Sequence, residues 1–211
     1  MSQEMSFEGE KKAVRISLRA AIEYLLEGDS DAPNSVGRAL QSLVEYHDLR
    51  NAAGRPDEIA HRAFLDEVTA ELARVPQPFW LALMKFASFI ECAHEEDSWR
   101  VCQYASAAQF LLEDHAAAIP DAETDPDMRE PFELIAERTL DHIKEYGGIA
   151  EVEKRPVGFP PSHWWWTGNV AYVEPSWVPP LGWPPVRQWD AAEPTTIVAP
   201  GLADSSKNNV T

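Results

Sequence analysis

Six of the eight tryptophans lie between Trp164 and Trp189, in a stretch that also carries five of the chain's 17 prolines. Ten prolines follow residue 155, including Pro160-Pro161, Pro179-Pro180 and Pro184-Pro185. Proline removes a backbone donor and clashes with the preceding turn, so this stretch is neither a long helix nor a central strand. Disordered segments are poor in aromatics, so it is not a plain disordered tail either. It must bury indoles against the rest of the chain or against a partner. An extended, polyproline-like strap across a helical domain meets that demand. Each buried aromatic takes about 150–250 Å² out of water, and that area holds a strap without regular secondary structure. In the triplet Trp164-Trp165-Trp166, neighbouring side chains point in different directions, so at least one indole should stay partly exposed or meet a partner.

The preceding 150 residues read as amphipathic helices. Val14, Leu18, Ala21, Ile22 and Leu25 keep helical spacing and mark the first, which stops near Gly28. Asn34 or Ser35 is placed to cap a second helix, with Val36, Leu40, Leu43 and His47 on one face. Pro56 followed by Asp57 and Glu58 opens a third. The fourth, about Phe79 to His94, is apolar nearly all round, which marks it as the central one. The fifth runs from about Ser98 to Ala117, where Ala105, Ala107 and Ala108 allow close approach of a neighbour. After a loop broken by Pro120, Pro126 and Pro131, a sixth helix runs to Gly147-Gly148. The expected fold is therefore all-α, an irregular bundle of about six helices. Its expected division is an acidic helical domain over 1–150, the Pro/Trp-rich strap over 151–204 and a frayed tail over 205–211. Within the strap, Asn169 to Val173 and Thr195 to Val198 could pair as a short β-ribbon.

The net charge of −17 is unevenly placed. Residues 1–155 hold 31 acids and 16 bases, whereas 156–211 hold four and two. Such a field repels nucleic acid and anionic membrane and steers basic partners. No apolar run approaches a membrane span, and the polar start carries no signal peptide, so a cytoplasmic protein is expected. Cys92 and Cys102 lack the spacing of a disulfide framework or zinc site and read as reduced core thiols.

The sixth helix carries the clearest candidate interface. Glu130, Glu133, Glu137, Asp141 and Glu145 follow one another at three- and four-residue steps, which aligns them on one stripe. Like charges at that spacing weaken a helix by about 0.2–0.5 kcal/mol per pair, a cost that a cationic partner reverses. Glu58-Ile-Ala-His61 and Glu91-Cys-Ala-His94 are Glu-x-x-His pairs of the sort found in di-iron bundles, with Glu23 and Glu45 as possible further ligands. Both histidines also suit an apolar helix face as ordinary core residues. No nucleophile elbow, phosphate loop or zinc motif is present, and no cofactor is expected. The pattern points to a non-enzymatic acidic protein that neutralises a basic protein partner, of the toxin-immunity type. The candidate contacts are the sixth-helix stripe Glu130, Glu133, Glu137, Asp141 and Glu145 and the triplet Trp164, Trp165 and Trp166. The alternatives are an assembly protein self-associating through the strap, a nucleic-acid mimic, and a di-metal bundle.

Overall fold

A computed structural model describes residues 2–119 and 126–168. The helices are α1 (Ser2–Glu27), α2 (Ala32–Ala52), α3 (Glu58–Leu72), α4 (Pro76–Glu91), α5 (Ser98–Asp114) and α6 (Pro126–Tyr146). The expected six-helix, all-α arrangement is what the chain adopts, and no strand occurs among the described residues. The expected β-like runs at 169–173 and 195–198, the frayed tail, and Trp177, Trp183 and Trp189 lie outside the described residues. No helix among the described residues is long and apolar enough to cross a membrane.

The ends of the helices follow local chemistry that periodicity alone misplaces. α2 begins three residues before the expected cap because Pro33 suits the first helical turn, where its missing N–H costs nothing. Asp57 caps α3 by accepting a hydrogen bond from the Ala60 amide at 3.0 Å. α4 ends at Glu91, so His94 lies beyond it and is exposed rather than on an apolar stripe. Cys92 is exposed as well, and only Cys102 is a core thiol. Pro131 sits inside α6 instead of before it. Proline has no N–H to offer the Asp127 carbonyl one turn back, and the Trp80 indole Nε1 donates to that carbonyl at 2.6 Å. A tertiary bond therefore replaces the lost helical one.

α1 and α2 pack as an antiparallel pair through Val14, Leu18 and Ala21 against Val36, Leu40 and Leu43, all buried. Each such aliphatic side chain contributes on the order of 1.5–3 kcal/mol when removed from water. The centre of the bundle is α5 rather than α4. From Val101 to Leu112 every α5 residue but Tyr104 is buried. The small side chains Ala105, Ser106, Ala107 and Ala108 let neighbours close in. Neighbours satisfy some of the polar ones, as where Gln103 donates to Glu45 of α2 at 3.2 Å.

After α6 the chain returns as an extended strap. Arg155 Nε donates to the Ile149 carbonyl at 2.7 Å, and the Val157 amide donates to Asp48 of α2 at 2.7 Å. Phe159 meets Phe110 of α5 edge-on at 5.3 Å. Two 3-10 turns, Pro161–Trp166, then lie along α5. The closing contact is glycine on glycine. A Cβ at Gly148 would stand 2.3 Å from the Gly168 nitrogen and 2.7 Å from the Trp165 carbonyl, both backbone atoms with little freedom to yield. Gly148→Ala should therefore push the strap off the end of α6 and lower the urea unfolding free energy by about 1–3 kcal/mol. A variant as stable as the parent would show that this approach is not tight.

Candidate functional site

Three side-chain constellations stand out, and their burial separates their roles. The first surrounds Ser106. Its hydroxyl oxygen lies 3.0 Å from Trp165 Nε1, 2.8 Å from Trp166 Nε1 and 2.9 Å from His163 Nδ1. Indole N–H groups only donate, so both serine lone pairs are occupied, and the hydroxyl hydrogen goes to His163 Nδ1. The proton of His163 is thereby placed on Nε2, which faces Glu113 at 3.4 Å. Burial alone would raise the Glu113 carboxyl, but His163, Ser162 and Gln109 outweigh it and hold the group below its usual range. Burial also lowers His163, against the pull of Glu113.

The order Ser–His–Glu resembles a nucleophile relay, but the geometry is that of a clasp. Ser106 is wholly buried and its hydrogen-bonding capacity is full, so no lone pair is left to attack a substrate. The turns that carry the triplet explain its split. With about three residues per turn, consecutive side chains point roughly 120° apart. Trp165 and Trp166, expected among the partner contacts, turn inward and are buried. Trp164 is left half-buried at the surface.

The second constellation is a polar core between α2, α3 and α5. Tyr46 donates to His61 Nδ1 at 2.8 Å, and burial pushes the Tyr46 phenol up to about 12. Thr69 donates to the Leu65 carbonyl, so its oxygen accepts from His115 Nδ1 at 2.8 Å. His115 Nε2 is left bare in the interior. His47 stacks on Phe110 at 3.9 Å and sets Nε2 3.5 Å from Asp114, a contact without hydrogen-bond geometry. These groups are enclosed and hold α2, α3 and α5 in register.

The proposed metal ligands do not gather. Glu58 pairs with Arg50 at 2.6 Å, His61 is engaged by Tyr46, and Glu91 pairs with Arg138 of α6 at 2.8 Å. Among the described residues no group of three or more histidines, cysteines or acids could hold a metal ion.

The third constellation is on the surface. Glu130, Glu137, Asp141 and Glu145 of α6 are exposed, and Glu133 is half-buried beside Arg129 at 3.6 Å. Asp141 has Lys144 at 3.8 Å. The fold adds to this stripe a second acidic group invisible to helix spacing. Ser98 accepts from His142 Nε2 at 2.9 Å, which docks the start of α5 on the end of α6. That contact brings Glu95 and Glu96 of the preceding turn alongside Glu145. The Glu145 hydrogen bond raises the Tyr146 phenol first, followed by desolvation and the fields of Glu145, Glu96 and Glu95. Trp99, in the first turn of α5, is 44% exposed and rests edge-on against Trp166 at 6.3 Å. An accessible indole thus borders an acidic surface assembled from two separate parts of the chain.

No family model, curated protein or solved structure matches this chain. The reading of its function rests on this geometry alone.

Proposed function

We propose that this is a non-enzymatic binding protein that captures a basic protein partner on the acidic surface of α6 and the α4–α5 turn, as a toxin-immunity-type inhibitor does. The observation that carries the reading is the exposed stripe Glu137, Asp141 and Glu145, whose end acts on Tyr146 together with Glu95 and Glu96 of the turn that leads to the exposed Trp99. Like charges one helical turn apart repel one another in the free protein, and a cationic surface relieves that repulsion on contact. A long-range acidic field accelerates encounter, and an indole that becomes buried slows release. The net charge of −17 strengthens the first effect. A cytoplasmic setting, where a basic effector would be neutralised before it acts, fits the same reading.

The test begins with the full chain as bait at low salt, with captured proteins identified by mass spectrometry. The association rate of the strongest basic ligand is then measured against wild type and against Glu137→Lys/Asp141→Lys/Glu145→Lys. The triple reversal should slow association about tenfold or more at low ionic strength and flatten its salt dependence. Trp99→Ala should leave the association rate intact and speed dissociation. An association rate indifferent to the charge reversal would sink the proposal.

A further inference from the structure

On the face of the bundle formed by α2, α4 and α5, away from the Ser98–His142 junction, lies an open groove of about 360 Å³. Asn34, Arg38, Gln41, Lys85, Phe86 and Tyr104 line it, and no acid among the described residues does. In a chain with 35 acids and 18 bases, a concavity lined by two cations and no carboxylate runs against the overall field. Its volume lies within the range of small-ligand sites.

The walls are built for a flat ring. Phe86 and Tyr104 stack face to face at 4.1 Å with 5° between their planes, forming a double-thickness aromatic wall. Phe89 braces Tyr104 edge-on at 5.2 Å, and the Arg100 guanidinium covers Phe89 at 5.3 Å, adding a third positive charge behind the wall. Gly37 sits opposite. A Cβ there would stand 3.4 Å from Phe86 Cε1, so the missing side chain keeps α2 and α4 close at the groove floor.

The cations are only lightly compensated. Lys85 Nζ donates to the neutral Asn34 amide oxygen at 2.7 Å and has no carboxylate within 4.0 Å among the described residues. That bond uses one of three ammonium donors and holds the group at the rim. Arg38 shares one carboxylate, Asp31, at 3.3 Å, which lies outside the groove. Its guanidinium has five N–H donors, so several are left for a second acceptor.

We propose that this groove is a binding site for a small aromatic carboxylate, with the ring along the Phe86–Tyr104 wall and the carboxylate held by Lys85 and Arg38. None of its lining residues belongs to the acidic surface on α6. The protein could thus hold a small anion and a basic protein at different faces.

The probe is 2-naphthoate, titrated into the full-length ¹⁵N-labelled protein and followed by amide chemical shifts. Saturable shifts should map to Gly37, Arg38, Lys85 and Tyr104, with a Kd of about 0.1–1 mM, as expected for so small a ligand. Lys85→Gln and Arg38→Gln, both changes of exposed side chains, should each weaken binding about tenfold with the spectrum otherwise preserved. The neutral analogue 2-naphthylmethanol should bind about tenfold more weakly than the carboxylate. The proposal is overturned by an absence of saturable shifts at these amides up to about 5 mM, by equal affinity for the neutral analogue, or by variants that bind as the parent does. Shifts confined to the tryptophan strap would overturn it as well.

Discussion

Replacing Ser106 with alanine should lower the unfolding free energy by about 3–6 kcal/mol, the largest loss expected from removing a single atom anywhere in the described structure. The reason is the number of groups that converge on that oxygen. The Trp165 and Trp166 indoles and His163 all turn to it, and all three residues are buried. Without the hydroxyl, two N–H donors and one ring nitrogen have no partner in a region closed to solvent. Each orphaned group costs about 1–3 kcal/mol, far above the roughly 1 kcal/mol of an ordinary hydrogen bond. Alanine otherwise suits the site, since it favours the α5 helix and is smaller than serine, so the loss reports the polar junction alone. Ser88→Ala on the exposed face of α4 should change stability by less than about 0.5 kcal/mol under the same urea titration. Ser106→Ala should also release the strap from α5, seen as faster amide exchange at residues 163–166 than in wild type. A loss no larger than that of Ser88→Ala would show that the strap is held by apolar contact and not by this oxygen.

That junction shows where sequence stops being informative. The alanines around position 106 announce that something approaches α5 closely, and the triplet announces indoles in need of a home. Nothing local links them, because Ser106 finds its partners 57 to 60 residues further along the chain. The helices, by contrast, are legible because their signal is periodic and short-range. Val14, Leu18 and Ala21 face the core for the same reason that they are spaced three and four apart. Periodicity misleads only where a tertiary bond overrides it. Pro131 reads as a helix breaker, yet α6 passes through it because Trp80 satisfies the carbonyl that proline strands. The acidic surface is half legible in the same way. The α6 stripe follows from helical steps, whereas the contribution of Glu95 and Glu96 depends on the Ser98–His142 contact, which no spacing encodes. The central position of α5 is hidden because its buried polar residues, Gln103, Ser106 and Gln109, lower its apparent hydrophobicity, while Gln103 and Ser106 find partners on α2 and on the strap.

The same buried polar groups make the fold sensitive to acid, and stability should fall by at least about 3 kcal/mol between pH 7 and pH 5. Burial lowers five histidines, His47, His61, His115, His142 and His163, with His61 and His115 at about 4. In the unfolded chain each takes up a proton near pH 6.5. Below that point the unfolded state binds protons that the folded state refuses. His61 and His115 then each cost about 1.4 kcal/mol per pH unit, until their folded forms are themselves protonated near pH 4, and His47, His142 and His163 act in the same direction. Three carboxyls act in the opposite sense. Burial raises Asp114 to about 6, and Asp48 and Glu10 are raised as well, again chiefly by burial. Between pH 6 and the ordinary carboxyl range these groups take up protons in the folded state first and so offset part of the loss. The histidines prevail because they are more numerous and begin to act at higher pH. Urea midpoints measured at pH 7, 6 and 5 should therefore fall steadily with an unchanged denaturant slope. Asp114→Asn separates the two contributions. It removes a buried charge that is costly at neutral pH, so the variant should be more stable than the parent at pH 7. It should then lose stability more steeply on acidification, because its offset is gone. Constant stability from pH 7 to pH 5 would mean that the histidines reach solvent and that the polar core between α2, α3 and α5 is open.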